Sequence, residues 1–239
     1  MRRKLLSVVL CVCMMLTMAP FAFAADSDDG ATTEIGAEGG SSNTSSSGSG
    51  GTTLQAQINA INSTGTITLN RTYTEDVTIP ADKNITLNLN GQKLTNKTTN
   101  TITVEKGATL TVTGTGTVDN ITHGKAALYN KGAVVLEGGT FERSAEAGID
   151  ATNNGGNSYY TVLNHGSMTV KSNVTVNNKG HYSSLFENGY FDCTQTQDGI
   201  EAPSLIIDDG KFDGGLNTIK NDDNATLTIN DGTFINYTQ

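Results

Sequence analysis

Few residues in this chain could do chemistry, and their spacing is more informative than their number. Asp209 and Asp231 lie 22 apart, each followed by Gly, and Asp208 and Asn230 repeat at the same interval. Carboxylates stacked at one such position could share a calcium ion or work as an acid/base pair. Asp-Gly and Asn-Asp-Gly steps also close turns by bonding their own backbone. That second role accounts for the residues without any ligand, so no catalytic residue and no cofactor is assigned; calcium on Asp209 and Asp231 is the alternative. His165 stands between Asn164 and Gly166, where matching turns carry Lys131 and Lys106, and reads as a solvated turn tip. His123 and His181 have no carboxylate or Ser partner that spacing sets beside them.

The aromatic residues say more. Tyr159, Tyr160, Tyr182, Phe186, Tyr190 and Phe191 fall within 33 residues, in a chain with seven Tyr, seven Phe and no Trp. Exposed Tyr beside Asn and Asp can stack on sugar rings and bind their hydroxyls. The expected ligand-binding residues are therefore Tyr159, Tyr160, Tyr182 and Tyr190, with Tyr160 and Tyr182 stacked on neighbouring repeats. The competing reading is that these rings fill the core or pack under loops.

A repeat positions these residues. Leu205, Ile207, Gly210 and Phe212 reappear as Leu227, Ile229, Gly232 and Phe234. Working backward, apolar pairs occur at Met168/Val170, Val134/Leu136, Leu110/Val112, Leu87/Leu89 and Ile67/Leu69, in successive steps from the front of 20, 23, 24, 34, 37 and 22. Within each pair the apolar residues alternate with polar or smaller ones, which is the strand period. Strand units of this length fit an all-β parallel β-helix of about seven or eight coils, each stacked on the next at about 4.8 Å. The step of 34 reads as a loop around Ala145 to Ser158. The step of 37 reads as a hidden extra coil. Leu54, Ile58 and Ile61 are spaced as one face of a short helix that plugs the N-terminal end of the stack.

Composition agrees. Only 36% of residues are hydrophobic and 16% charged, which excludes a helix bundle; Thr, Asn, Gly and Ser dominate instead. Residues 1–24 read as a secretory signal peptide, with Arg2-Arg3-Lys4, an apolar run and Ala22-Phe23-Ala24. Cleavage there takes 15 basic residues to 12 against 24 acidic ones, leaves no basic stripe for nucleic acid, and leaves no membrane segment. Cys193 is then the one remaining cysteine, so no intrachain disulfide forms. Residues 25–52 read as a Gly/Ser-rich linker and 53–239 as the β-helix.

The stretch TITLNRTYTEDVTIPADKNITLNLNGQKLTN and units such as GAVVLEGGTF and ATLTINDGTF resemble the pectate-lyase-like right-handed β-helix domains of secreted surface proteins of Gram-positive bacteria. The resemblance covers residues 53–239 and implies fold and extracellular, cell-surface location. Such domains host lyases, glycosidases, adhesins and stalks alike. Galacturonide hydrolases of this kind carry Asn-Thr-Asp, Asp-Asp, His-Gly and Arg-Ile-Lys in that order. Here His123-Gly124 and His165-Gly166 precede Asp208-Asp209, the other two motifs are absent, and only Arg71 and Arg143 follow the leader. The expectation is a non-catalytic, adhesin-like or glycan-contacting protein whose partners are host or environmental glycans or surface proteins. The alternatives are the N-terminal part of a lyase or hydrolase of acidic polysaccharide, continuing past an uncapped end at Gln239, and a passive stalk.

Overall fold

The computed structural model describes residues 51–144, 159–178, 183–190 and 202–236. All of them belong to the second of two units into which the chain divides, Ser49–Gln239. It opens with one helix, α1 (Leu54–Ala60), followed by strands that run in three parallel sheets. The first sheet stacks β1 (Thr64–Thr68), β4 (Asn84–Asn88), β7 (Thr109–Thr113), β10 (Ala133–Leu136), β13 (Ser167–Val170), β16 (Ser204–Ile207) and β19 (Thr226–Ile229). The second stacks β2 (Tyr73–Thr74), β5 (Lys93–Thr95), β8 (Thr117–Asp119), β11 (Gly139–Glu142), β14 (Val174–Asn178), β17 (Lys211–Gly214) and β20 (Thr233–Ile235). The third holds β3 (Val77–Ile79), β6 (Ile102–Val104), β9 (Leu128–Asn130), β12 (Tyr159–Asn164), β15 (Ser183–Asn188) and β18 (Ile219–Asn221). Each of the first six coils contributes one strand to each sheet in turn, and the seventh adds β19 and β20 to the first two sheets, so the described residues form a parallel β-helix of seven coils.

Alternation builds the core. In β4 and β7 the inward residues Ile85, Leu87, Leu110 and Val112 are buried, while Thr86 and Thr111 face out. Like stacks on like because the register pairs Ile85 with Leu110 and Leu87 with Val112. This step is 25, where the apolar pairing implied 23. Ile85, Leu87 and Leu89 offer three inward positions at period two, so the pattern alone left the register open by one pair. The extra coil expected in the step of 37 is absent. Met168 pairs directly with Leu205 and Val170 with Ile207, so the whole step belongs to one coil. The step of 34 is likewise one coil, Val134 pairing with Met168.

A buried asparagine ladder runs up the third sheet. Asn130 donates through Nδ2 to Asn164 Oδ1, Asn164 to Asn188 and Asn188 to Asn221, each at 2.7 Å. The second Nδ2 hydrogen of the same three residues goes to the carbonyls of Ser167, Ser204 and Thr226, each at 2.9 Å. Burying three amides inside a coil is tolerable because every one is satisfied.

The helix does what its spacing implied. Leu54 and Ile58 are buried and Ile61 packs against the core. Thr53 caps the helix through Oγ1, which accepts from Ala56 N at 3.1 Å. Gln55 meets the free edge of β3 as another strand would: Nε2 donates to Thr78 O at 2.9 Å, and Oε1 accepts from Thr78 N at 2.7 Å. At the far end Leu227 and Ile229 stack in register on Leu205 and Ile207. Leu205 and Ile207 are fully buried, whereas Ile229 is 48% exposed because no further described strand covers it. Leu227 is half-buried and still packs against the core, so the core thins at the last described coil.

Candidate functional site

The third sheet and the turns leading from it into the first sheet carry the aromatic surface. In β9 and β12 the register places Leu163 beside Tyr129 on the outer face, and β15 adds Glu187 beside Leu163. Immediately after these strands the turns place Glu105, Lys131 and His165 in one row, since Lys131 N donates to Val104 O and His165 N to Asn130 O, both at 2.8 Å. The residue that matches Lys131 and His165 is therefore Glu105, not Lys106.

His165 is not a solvated turn tip. It is half-buried, with its Nδ1 hydrogen-bonded to the Tyr129 hydroxyl at 3.1 Å and its ring against Tyr190, centroids 4.0 Å apart and planes tilted by 31°. Tyr190 is held there by an antiparallel bridge to Asp223. Burial and the neighbouring Lys131 ammonium depress the His165 pKa to about 4, against the opposing pull of Asp222. The imidazole is therefore neutral at pH 7. Burial, with Glu105 and Glu187 nearby, pushes the Tyr129 hydroxyl above its ordinary range. Lys131 itself pairs with Glu105 at 2.6 Å and lies over the Tyr129 ring at 5.5 Å.

Two hollows meet at His165. One, of about 400 Å³, lies on the sheet face and is lined by Tyr129, Tyr159, Tyr160, Leu163, His165 and Glu187, among others. The other, of about 450 Å³, lies at the turn edge and includes Lys106, Lys131, Gly132, His165, Gly166 and Tyr190. Tyr159 is half-buried, with His123 packed edge-on at 4.6 Å and the buried Arg143 guanidinium at 5.4 Å from its ring. Tyr160 is only 7% exposed, and its hydroxyl accepts from Lys220 Nζ at 3.3 Å. Burial works against the Lys220 charge, but its bonds to Tyr160 and Asp222 hold its pKa above the ordinary value.

Of the four expected ligand residues, Tyr159, Tyr160 and Tyr190 come to this surface. Tyr182 lies outside the described residues, as do His181, Phe191 and Cys193. The expected stacking of Tyr160 on Tyr182 is not the observed register, because Tyr160 pairs with Ser184. Phe186 does not join the surface; it is buried in the core against Phe212, centroids 5.7 Å apart. Tyr129 was missed, although the recurrence of Tyr129-Asn130-Lys131-Gly132 as Leu163-Asn164-His165-Gly166 carried the signal.

Elsewhere the candidates for chemistry are engaged in structure. Asp209 Oδ1 accepts from Gly210 N at 2.7 Å and Asp231 Oδ1 from Gly232 N at 2.8 Å, so each carboxylate closes its own turn. Asn230 Nδ2 donates to Asp208 Oδ1 at 2.9 Å. Among the described residues no group of three His, Cys, Asp or Glu is placed to hold a metal ion, and no helix is long and apolar enough to cross a membrane. Arg71 donates to the carbonyls of Gly51 and Thr52, both at 3.1 Å. No family model, curated protein or solved structure matches the chain.

Proposed function

We propose that this chain is a secreted, surface-associated β-helix of the pectate-lyase-like kind that works by contact, holding glycans on the outer face of its third sheet. The observation that carries this reading is the hollow of about 400 Å³ whose walls are Tyr129, Tyr159, Tyr160 and His165. Its size falls within the range that holds small ligands, and aromatic faces beside polar groups suit a sugar's apolar ring face and hydroxyl rim. Asn100, Lys125 and Glu187 supply the hydrogen-bonding groups in the same hollow. Stacking on one or two rings gives weak binding, since only the surplus over the entropy of association appears as affinity.

A glycan array probed with the mature chain tests this. Binding is expected to a restricted set of glycans and should disappear in a Tyr129→Ala/Tyr159→Ala variant with an unchanged circular dichroism spectrum. Incubation with polygalacturonate, with and without calcium, should release neither unsaturated nor new reducing ends. Absence of array binding, or measurable product, would overturn the reading.

A further inference from the structure

We propose that the turn-edge hollow continues the sheet-face hollow across His165, and that the two together form one cleft for the interior of an unbranched glycan chain. This rests on the reading of the aromatic face as glycan-contacting. Turn length creates the second hollow. The links from the third sheet to the first take four residues at 80–83 and at 105–108, but only two at 131–132 and 165–166. Two short turns beside a longer one leave a notch about two coils, or roughly 10 Å, wide. Lys106 and Gly107 line it on one side, and Tyr190 and Ala202 on the other.

The floor of the notch is bare by necessity. A Cβ on Gly166 would come within 2.1 Å of Gly132 O, and one on Gly132 within 2.4 Å of Ala108 O, so close coil stacking keeps side chains out. Ala133 and Ser167 complete the lining with small groups. Lys106 is exposed and makes no ion pair among the described residues, which leaves its ammonium available to ligand oxygens.

His165 lines both hollows, and its ring is held in place by Tyr129 on one side and Tyr190 on the other. The saddle between the hollows is thus aromatic, a surface that a sugar ring can cross. Each hollow alone is near the small end of ligand sites. A linear chain occupies both, and covalent linkage of its units makes the second contact intramolecular.

The test measures Kd of the mature chain for unbranched ladders of β-1,4-linked glucose, β-1,4-linked N-acetylglucosamine and α-1,4-linked galacturonate, from two to six units. For the series that binds, affinity should rise about a hundredfold or more between two and six units. Ser167→Arg, which fills the notch from an exposed strand position, should remove that gain and leave the two-unit affinity unchanged. Lys106→Ala, at an exposed turn position, should reduce the gain without touching the sheet face. Equal affinity for short and long chains, or a gain that survives Ser167→Arg, would overturn the two-part cleft while leaving the glycan reading intact. Binding of none of the three series to the parent would overturn the cleft, and only absence of array binding as well would overturn the glycan reading.

Discussion

The Asn164 side chain makes four hydrogen bonds: Oδ1 accepts from Asn130 Nδ2 and from Gly166 N, and Nδ2 donates to Asn188 Oδ1 and to Ser204 O. Asn164→Leu would orphan one group on each of these partners, at about 1–3 kcal/mol per buried unsatisfied group. The expected loss is roughly 3 kcal/mol or more, read from the urea midpoint. Ile207 and Ile229 occupy equivalent positions one coil apart but differ in burial. Ile207→Ala should cost about 2–5 kcal/mol, and Ile229→Ala well under half of that. Similar losses at the two sites would show that the last coil is covered in solution. His165 adds a pH dependence. An unfolded His titrates near its ordinary value of 6.5, whereas in the folded chain its pKa lies at about 4. Between these values the unfolded chain binds the extra proton, so stability falls as pH drops through that window, by at most about 1.4 kcal/mol per pH unit. A His165→Gln variant should lose this component, seen as a smaller difference in urea midpoint between pH 7 and pH 4.5. The same residue shows a limit of sequence reading: Asn164-His165-Gly166 was legible as a turn, but not the Tyr190 ring that the fold returns to it from 25 residues further on.

At the scale of elements, strand period and repeat spacing carried most of the fold. The apolar pairs marked the strands of the first sheet, and Leu54, Ile58 and Ile61 marked α1, because both signals are local. Register was less legible, since any period-two pattern with three apolar members admits a slip of one pair, as at Ile85, Leu87 and Leu89. Turn length proved decisive for the surface, and it follows from the register. Gly166 is the sharpest test of that stacking. Gly166→Ala should destabilise by about 1–3 kcal/mol because its Cβ meets the Gly132 carbonyl rather than a flexible side chain. Gly91→Ala, where a Cβ meets nothing within 4 Å but φ is +74°, separates strain from clash. If Gly166→Ala melts with the parent, the coils do not approach as closely as the stacking requires.

The described residues stack with α1 over the first coil and no described strand over the last. Gln55 supplies strand-like bonds to β3 at the first coil, while Ile229 and Phe234 at the last described coil stand 48% and 39% exposed. Deleting residues 52–62 should free the edge of β3 and promote association, measured by light scattering against concentration. The proposed function depends at this scale on the tyrosines. The chain has no Trp and seven Tyr, of which Tyr129, Tyr159, Tyr160 and Tyr190 line the two hollows, so intrinsic fluorescence reports mainly on the proposed site. The most direct measurement is tyrosine emission during titration with a glycan that the array identifies, alongside calorimetry. A saturable change in emission with the calorimetric midpoint is expected, abolished in Tyr129→Ala/Tyr159→Ala. Heat of binding with unaltered tyrosine emission would place the glycan elsewhere and contradict it.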